Sequence, residues 1–168
     1  MDLTISTLAN RSIDQMFSCF DRVLDKGDAA AKAKGVEESI YLNWRAAPDM
    51  HPMKTQVRFA MEAARQLALL ADVETPPFTE DGESFAELRE NLRNSREIVK
   101  RLPAQELDRA PDSQITVPVG SGELTMTRLD YFQNFILPNL FFHTTVGYLI
   151  LRHLGVELGK GDFLFADV

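Results

Sequence analysis

Residues 129–154 read LDYFQNFILPNLFFHTTVGYLILRHL. Between Asp130 and Arg152 no acidic or basic side chain other than His143 interrupts the run. Phe132, Ile136, Asn139, His143, Val146 and Ile150 recur at alternating spacings of four and three, the pattern of the inward seam of a bundle helix. Two of these six positions are polar, and they stand one turn apart on the same face. Burying an amide and an imidazole without partners costs about 1–3 kcal/mol each, so the interior must supply partners for Asn139 and His143. The remaining faces carry Phe135, Leu137, Leu140, Phe141, Phe142, Tyr148, Leu149 and Leu151. A helix apolar nearly all round is either central or covered by another surface. No helix of a four-helix bundle is central, so a homodimer through this helix is expected. Pro138 removes one helical hydrogen bond and crowds the carbonyl of Asn134, which predicts a kink just before Asn139. The run is long enough to span a bilayer. Gln133, Asn134, Asn139, His143, Thr144 and Thr145 would be costly in lipid, and Pro138 adds a break, so no membrane span is expected.

Working outward, Thr127 is placed to cap this helix with Asp130 in its first turn, and Gly155 marks its end. Upstream, Ile115, Val117 and Val119 alternate, Gly120-Ser121-Gly122 turns, and Leu124 and Met126 alternate again. That is a β-hairpin, which two strands alone do not stabilise, so it must pack on the bundle. A third helix opens with a capping box at Ser84 and Glu87. Its stripe runs Phe85, Leu88, Leu92, Ser95, Val99, Leu102, and Pro103 stops it. A second helix spans about 52–71, opening on Pro52, with Met53, Gln56 or Val57, Ala60, Ala64, Leu67 and Leu70 inward. The first runs from about residue 6 to 25, with Ile13, Met16, Phe17, Phe20, Val23 and Leu24 on one face. Gly27 and Asp28 are expected to interrupt it, and Gly35 to end a short turn that follows. Residues 36–49 read as a short helix and connector holding Tyr41, Trp44 and Arg45. Phe163, Leu164 and Phe165 in the tail should dock rather than stay in water. The fold class is therefore all-α: one domain, residues 1–168, built as a four-helix bundle with a small hairpin before the last helix.

The 168 residues carry a net charge of −7 and are 45% hydrophobic. No basic stripe is present to meet phosphates, which argues against nucleic acid. The block Arg93-Asn94-Ser95-Arg96, interleaved with Glu90 and Glu97, reads as a solvated helix face. Cys19 is the single cysteine, so no internal disulfide and no cysteine-based metal motif is available, and it reads as a small core residue. The N-terminal residues carry neither a basic nor an apolar leader segment, and a reducing cytoplasm is the expected location.

Four blocks carry a family resemblance: Arg45-Ala-Ala-Pro-Asp49-Met, Gln56-Val57, Leu137-Pro-Asn-Leu-Phe-Phe-His143, and Leu151-Arg-His-Leu-Gly155-Val-Glu-Leu-Gly-Lys160-Gly-Asp-Phe163. Over nearly the whole chain the sequence resembles a bacterial family of unknown function in the DinB/YfiT-like superfamily. The resemblance implies a bundle with a crossover connection rather than simple up-down order. It also implies a place where several superfamily members hold a divalent metal, through one histidine on the second helix and a His-x-x-x-His pair on the fourth. Some of those members transfer or isomerise substrates with low-molecular-weight thiols. In this chain His143 falls on the second histidine of the pair, Asn139 on the first, and Gln56 near the histidine of helix two. One imidazole and two neutral amides make a poor site for zinc or nickel, so no cofactor is expected, with His143 the only weak metal candidate. His51, beside Pro52, is expected exposed, and His153 at the helix end.

Three functional readings follow. The first is a metal-free binding domain with a small polar pocket at Gln56, Asn139 and His143 and with Tyr41 and Trp44 as further ligand candidates, although aromatics on a short connector more often anchor packing. The second is a divergent metal- and thiol-dependent transferase or isomerase. The third is a structural homodimer with no catalytic role. His143 itself reads most simply as a core histidine hydrogen-bonded to Asn139 and Gln56.

Overall fold

The computed structural model describes residues 3–165. In chain order its elements are α1 (Ile5–Lys34), α2 (Glu38–Leu42), α3 (Met53–Leu70), α4 (Phe85–Arg101) and α5 (Ala104–Asp108). A hairpin follows, β1 (Gln114–Val119) and β2 (Gly122–Thr127), then the long α6 (Arg128–His153) and a short α7 (Lys160–Leu164). The long helices α1, α3, α4 and α6 form the bundle. α6 lies against α3 and α1, and α4 lies against α1 and α3. The consecutive helices α1 and α3 are therefore diagonal partners, and the segment containing α2 crosses the end of the bundle. This is the crossover order that the resemblance implied.

α1 does not break at Gly27 and Asp28 as expected from sequence. It continues to Lys34, and Gly35 ends it at φ 61°, donating its N–H to Ala31 and Lys32 carbonyls. A mid-helix glycine costs about 1 kcal/mol relative to alanine, and the packing explains why it is there. A Cβ at Gly27 would lie 2.8 Å from Phe85 Cε1 and 3.0 Å from Leu151 Cδ1, so α4 and α6 close on α1 at this point. Gly147 on α6 does the same for Phe20, whose Cζ would stand 2.6 Å from an added Cβ.

α4 opens as its capping signal predicts. Ser84 Oγ accepts from the Glu87 N–H at 3.1 Å. Glu87 in return accepts from Glu83 N–H at 2.9 Å, one residue earlier than the usual box. Glu38 of α2 adds a third capping bond, accepting from Phe85 N–H at 2.7 Å. The stripe Phe85, Leu88, Leu92, Ser95 and Val99 is buried. The Arg93–Arg96 block is only partly a solvated face: Arg93 and Asn94 are exposed, but Ser95 is buried and Arg96 crosses to Asp14 of α1. About two turns earlier, Arg89 reaches Asp21 and Asp25 of α1. The expectation therefore holds for Arg93, Asn94, Glu90 and Glu97, whereas Arg96 also reaches the neighbouring helix.

The hairpin pairs Val117 with Leu124 and turns on Gly120-Ser121, with Gly120 at φ 58°. Its base is tied to the helix that follows by Arg128 N–H to Ser113 O and Leu129 N–H to Pro111 O, both 3.0 Å. Thr127 caps α6, accepting from Asp130 N–H at 3.0 Å. Where a kink is expected, the winding of the helix changes. Residues Tyr131–Ile136 wind as a π-helix, in which Leu137 N–H reaches back five residues to Phe132 O. The wide turn ends just before Pro138, which then sits in the first turn of regular α-helix, where a missing N–H is tolerated. α6 is the helix among the described residues that is long and apolar enough to cross a membrane by length and composition; here it packs into the bundle.

The tail docks on α1. Asp162 pairs with Lys26 at 2.7 Å and Arg22 at 3.3 Å, and Gln15 donates to Leu164 O at 2.7 Å. Phe163 meets Tyr148 edge-on with ring centroids 5.8 Å apart, whereas Phe165 remains exposed. Cys19 is fully buried in the core.

Candidate functional site

His143 and Gln56 meet. His143 Nδ1 lies 2.8 Å from Gln56 Oε1 across the α3–α6 interface. Gln56 Nε2 donates to the His51 carbonyl at 2.9 Å. Only one amide orientation serves both partners, since reversing it would set oxygen against oxygen at His51. Gln56 Oε1 is therefore the acceptor, His143 Nδ1 carries the proton, and Nε2 is left as the lone-pair nitrogen. Gln56 is itself buried, so this pairing answers its desolvation.

Asn139 does not join them. Its Nδ2 donates to Phe135 O, one turn back in the same helix at 2.8 Å, beside the wide π-turn. The expected cluster of three is thus a pair. Helical periodicity put Asn139 and His143 on one face, but the amide finds a nearer acceptor in its own backbone.

Aromatic rings flank the half-buried imidazole. Phe59 of α3 lies 5.0 Å from His143 and Phe142 lies 5.2 Å away, edge-on. His51 stands edge-on to Phe59 with ring centroids 5.0 Å apart, and the Arg58 guanidinium lies 4.8 Å from the centre of the same ring. His51 is exposed, as expected, but it belongs to this cluster. Burial among these rings, with the charge of nearby His51, pushes the His143 pKa down to about 4. At neutral pH it is an uncharged imidazole, a weak base and a fixed hydrogen-bond acceptor.

The other sequence candidates separate. Tyr41 is buried against Phe85 at 6.3 Å and anchors α2 to α4, the packing role. Trp44 is exposed and stands beside His153, ring centroids 6.1 Å apart, more than two turns along α6 from His143. His153 is in the last turn of α6, as expected.

The donor set does not fit the metal that the superfamily resemblance implies. Gln56 has both amide atoms engaged, Asn139 faces its own backbone, and a single imidazole nitrogen remains. Among the described residues no three His, Cys, Asp or Glu side chains converge.

One strongly placed residue escaped sequence reasoning. Arg128, the first residue of α6, is buried, and its Nη2 donates to Leu70 O at 2.7 Å and Glu106 O at 2.6 Å, with Leu107 O at 3.4 Å. The cation is answered by carbonyls at the C-terminal ends of α3 and α5 rather than by a carboxylate. Among the described residues its Nε has no hydrogen-bond partner. Nothing in the spacing Thr127-Arg128-Leu129 signals this, since an arginine in a first turn normally faces water.

The model of a family described as a domain of unknown function, DUF1993, matches residues 7–164. The crystal structure of a DinB family member protein from Shewanella denitrificans superposes with a TM-score of 0.82 at 29% identity. The match covers 95% of this chain and 90% of that one. No curated protein matches the chain.

Proposed function

This chain belongs to the DUF1993 family and has the DinB-like fold, and from that premise we propose that it is a metal-free binding domain whose ligand is a small aromatic molecule presenting an O–H or N–H donor. The observation that carries the reading is the 2.8 Å bond from His143 Nδ1–H to Gln56 Oε1, which leaves Nε2 as a neutral acceptor on a ring neighboured by Phe59 and Phe142. An imidazole with its pKa near 4 is poorly suited to general base work at neutral pH. It is well suited to accept one hydrogen bond from a ligand whose ring packs on the two phenyl groups.

The test is an NMR titration of the His143 ring nitrogens with phenol, and with anisole as the control that lacks the donor. A saturable Nε2 shift with phenol alone supports the reading, and saturation transfer from protein to phenol, which needs no imidazole resonance, should be lost in His143→Phe, which keeps a flat ring. No saturable shift with either compound overturns it. Elemental analysis of the purified protein should find no stoichiometric metal before or after incubation with zinc or nickel; one equivalent retained would contradict the metal-free part.

A second reading concerns assembly. Phe141 and Phe142 are exposed side by side near the middle of α6, Phe142 at 54%. This favours a homodimer through α6. Light scattering at micromolar concentration decides it: a dimer that Phe141→Glu turns into a folded monomer supports the interface, and a monomer for the unaltered chain removes it.

A further inference from the structure

The chain's single tryptophan, Trp44, is exposed and lies outside the His143 cluster. Trp44 is 42% exposed, yet its backbone is fixed: its N–H donates to Tyr41 O at 3.3 Å and its carbonyl accepts from Met53 N–H at 2.9 Å. It stands at the edge of a cavity of about 250 Å³ whose other walls are Arg45, Ala46, Leu149, Ile150 and His153. Ile150 is buried and forms the floor, while Leu149, 53% exposed, is the wall opposite the connector. Arg45, itself exposed, donates from Nη1 to Met50 O at 2.5 Å, which leaves most of its five donors unspent among the described residues. The His153 ring inclines at 32° to the indole. Among the described residues no carboxylate lines the cavity, in a protein whose net charge is −7.

We propose that this cavity binds a small monocarboxylate with a flat or short apolar body. The carboxylate meets the Arg45 fork, assisted by His153. The body lies between the Trp44 indole, Leu149 and Ile150. Each part of the site answers one part of that ligand. A planar fork with paired donors suits a carboxylate. An exposed indole beside an aliphatic floor gains most by being covered with an apolar group. A single guanidinium with one imidazole matches one negative charge better than two. The volume admits on the order of ten non-hydrogen atoms. The site is separate from the His143 notch and does not depend on it.

Trp44, as the only tryptophan, reports on its own site. The experiment is a fluorescence titration with phenylacetate, with its neutral counterpart 2-phenylacetamide, and with inorganic phosphate. Phenylacetate should change the emission saturably with a Kd on the order of millimolar, as expected for so small a ligand. The amide and phosphate should bind about tenfold more weakly or not at all. Arg45→Gln should lower phenylacetate affinity about tenfold. Because that change also removes the bond to Met50, Leu149→Glu provides a second variant: it sets a carboxylate at an exposed wall, leaves the Arg45 anchor alone, and should weaken binding to a similar degree. The indole N–H resonance should shift with phenylacetate whatever the His143 ring does, which separates this site from the other. Equal binding of acid and amide, tighter binding of phosphate, indifference to Leu149→Glu, or no saturation up to about 20 mM would each overturn the proposal.

Discussion

Acidification from pH 7 to pH 5 should destabilise this protein through His143, and the size of the effect follows from its surroundings. An unfolded histidine takes up a proton near pH 6.5. In the folded protein, burial between Phe59 and Phe142, with His51 close by, lowers that pKa to about 4. Between these values the unfolded chain binds the proton and the folded one does not, so protons pull the equilibrium toward unfolding. The stabilisation is complete above about pH 6.5 and is lost progressively as the pH falls toward 4. The bond to Gln56 does not oppose protonation, because Nδ1–H donates in both charge states. The unscreened linkage at pH 5 is about 2 kcal/mol. His143 is only half-buried, so solvent screening reduces it to about 1 kcal/mol. The assay is urea unfolding at pH 7, 6 and 5 for the native chain and for His143→Gln, which keeps a polar partner for Gln56 but does not titrate. Asp14, held low by Arg96, and Asp162, held low by Lys26 against its burial, lose their contributions at more acidic pH in both proteins. The difference between the two proteins therefore isolates the imidazole. Identical pH slopes, or a His143 resonance titrating near 6.5, would refute the reasoning.

Gly147→Ala should destabilise by about 1–2 kcal/mol: the added methyl would lie 2.6 Å from the buried Phe20 ring, an overpacking cost that exceeds the gain in helix propensity of about 1 kcal/mol. A thermal melt checks it, and a raised Tm would show that Phe20 yields freely. Arg128→Met should cost about 2–4 kcal/mol, because the carbonyls of Leu70 and Glu106 lose their buried donor. Arg128→Lys should recover part of the loss in the same urea assay, and a neutral Arg128→Met would mean that water replaces the guanidinium. Asp162→Asn should loosen α7 from Arg22 and Lys26 while lowering global stability by less than about 1 kcal/mol. Hydrogen exchange of a peptide covering residues 158–165 should quicken, and unchanged exchange there would show that Phe163 and the Gln15 bond hold the tail unaided.

The elements of this fold are set by local rules, and the sequence determined them accordingly. Periodicity placed the four long helices, Ser84 and Thr127 their caps, and Gly120-Ser121 the hairpin turn, because each depends on residues within a few positions of one another. The inward faces were legible for the same reason: Phe132, Ile136, Val146 and Ile150 are all buried. Gly27 shows where local reading fails. Its propensity argues for a break, and what overrides it is the approach of Phe85 and Leu151 from two other helices. The site divides along the same line. Spacing identified His143 as a polar intrusion into a seam and left Gln56 or Val57 open on the second helix, where the resemblance pointed to Gln56, but the meeting of the two depends on the register of α3 against α6. Asn139 had the right face and lost its place to a closer carbonyl. Trp44 was visible as an aromatic on a connector, whereas its partnership with His153, 109 positions further along, exists only because the crossover segment lies over the end of α6. Arg128 had no signal at all, since the carbonyls that hold it come from two other helix ends. Sequence alone fixes what each segment wants to bury. Which buried groups find one another is decided by the packing of segments distant in the chain, where a shift of about one helical turn, roughly 5 Å, exchanges one partner for another.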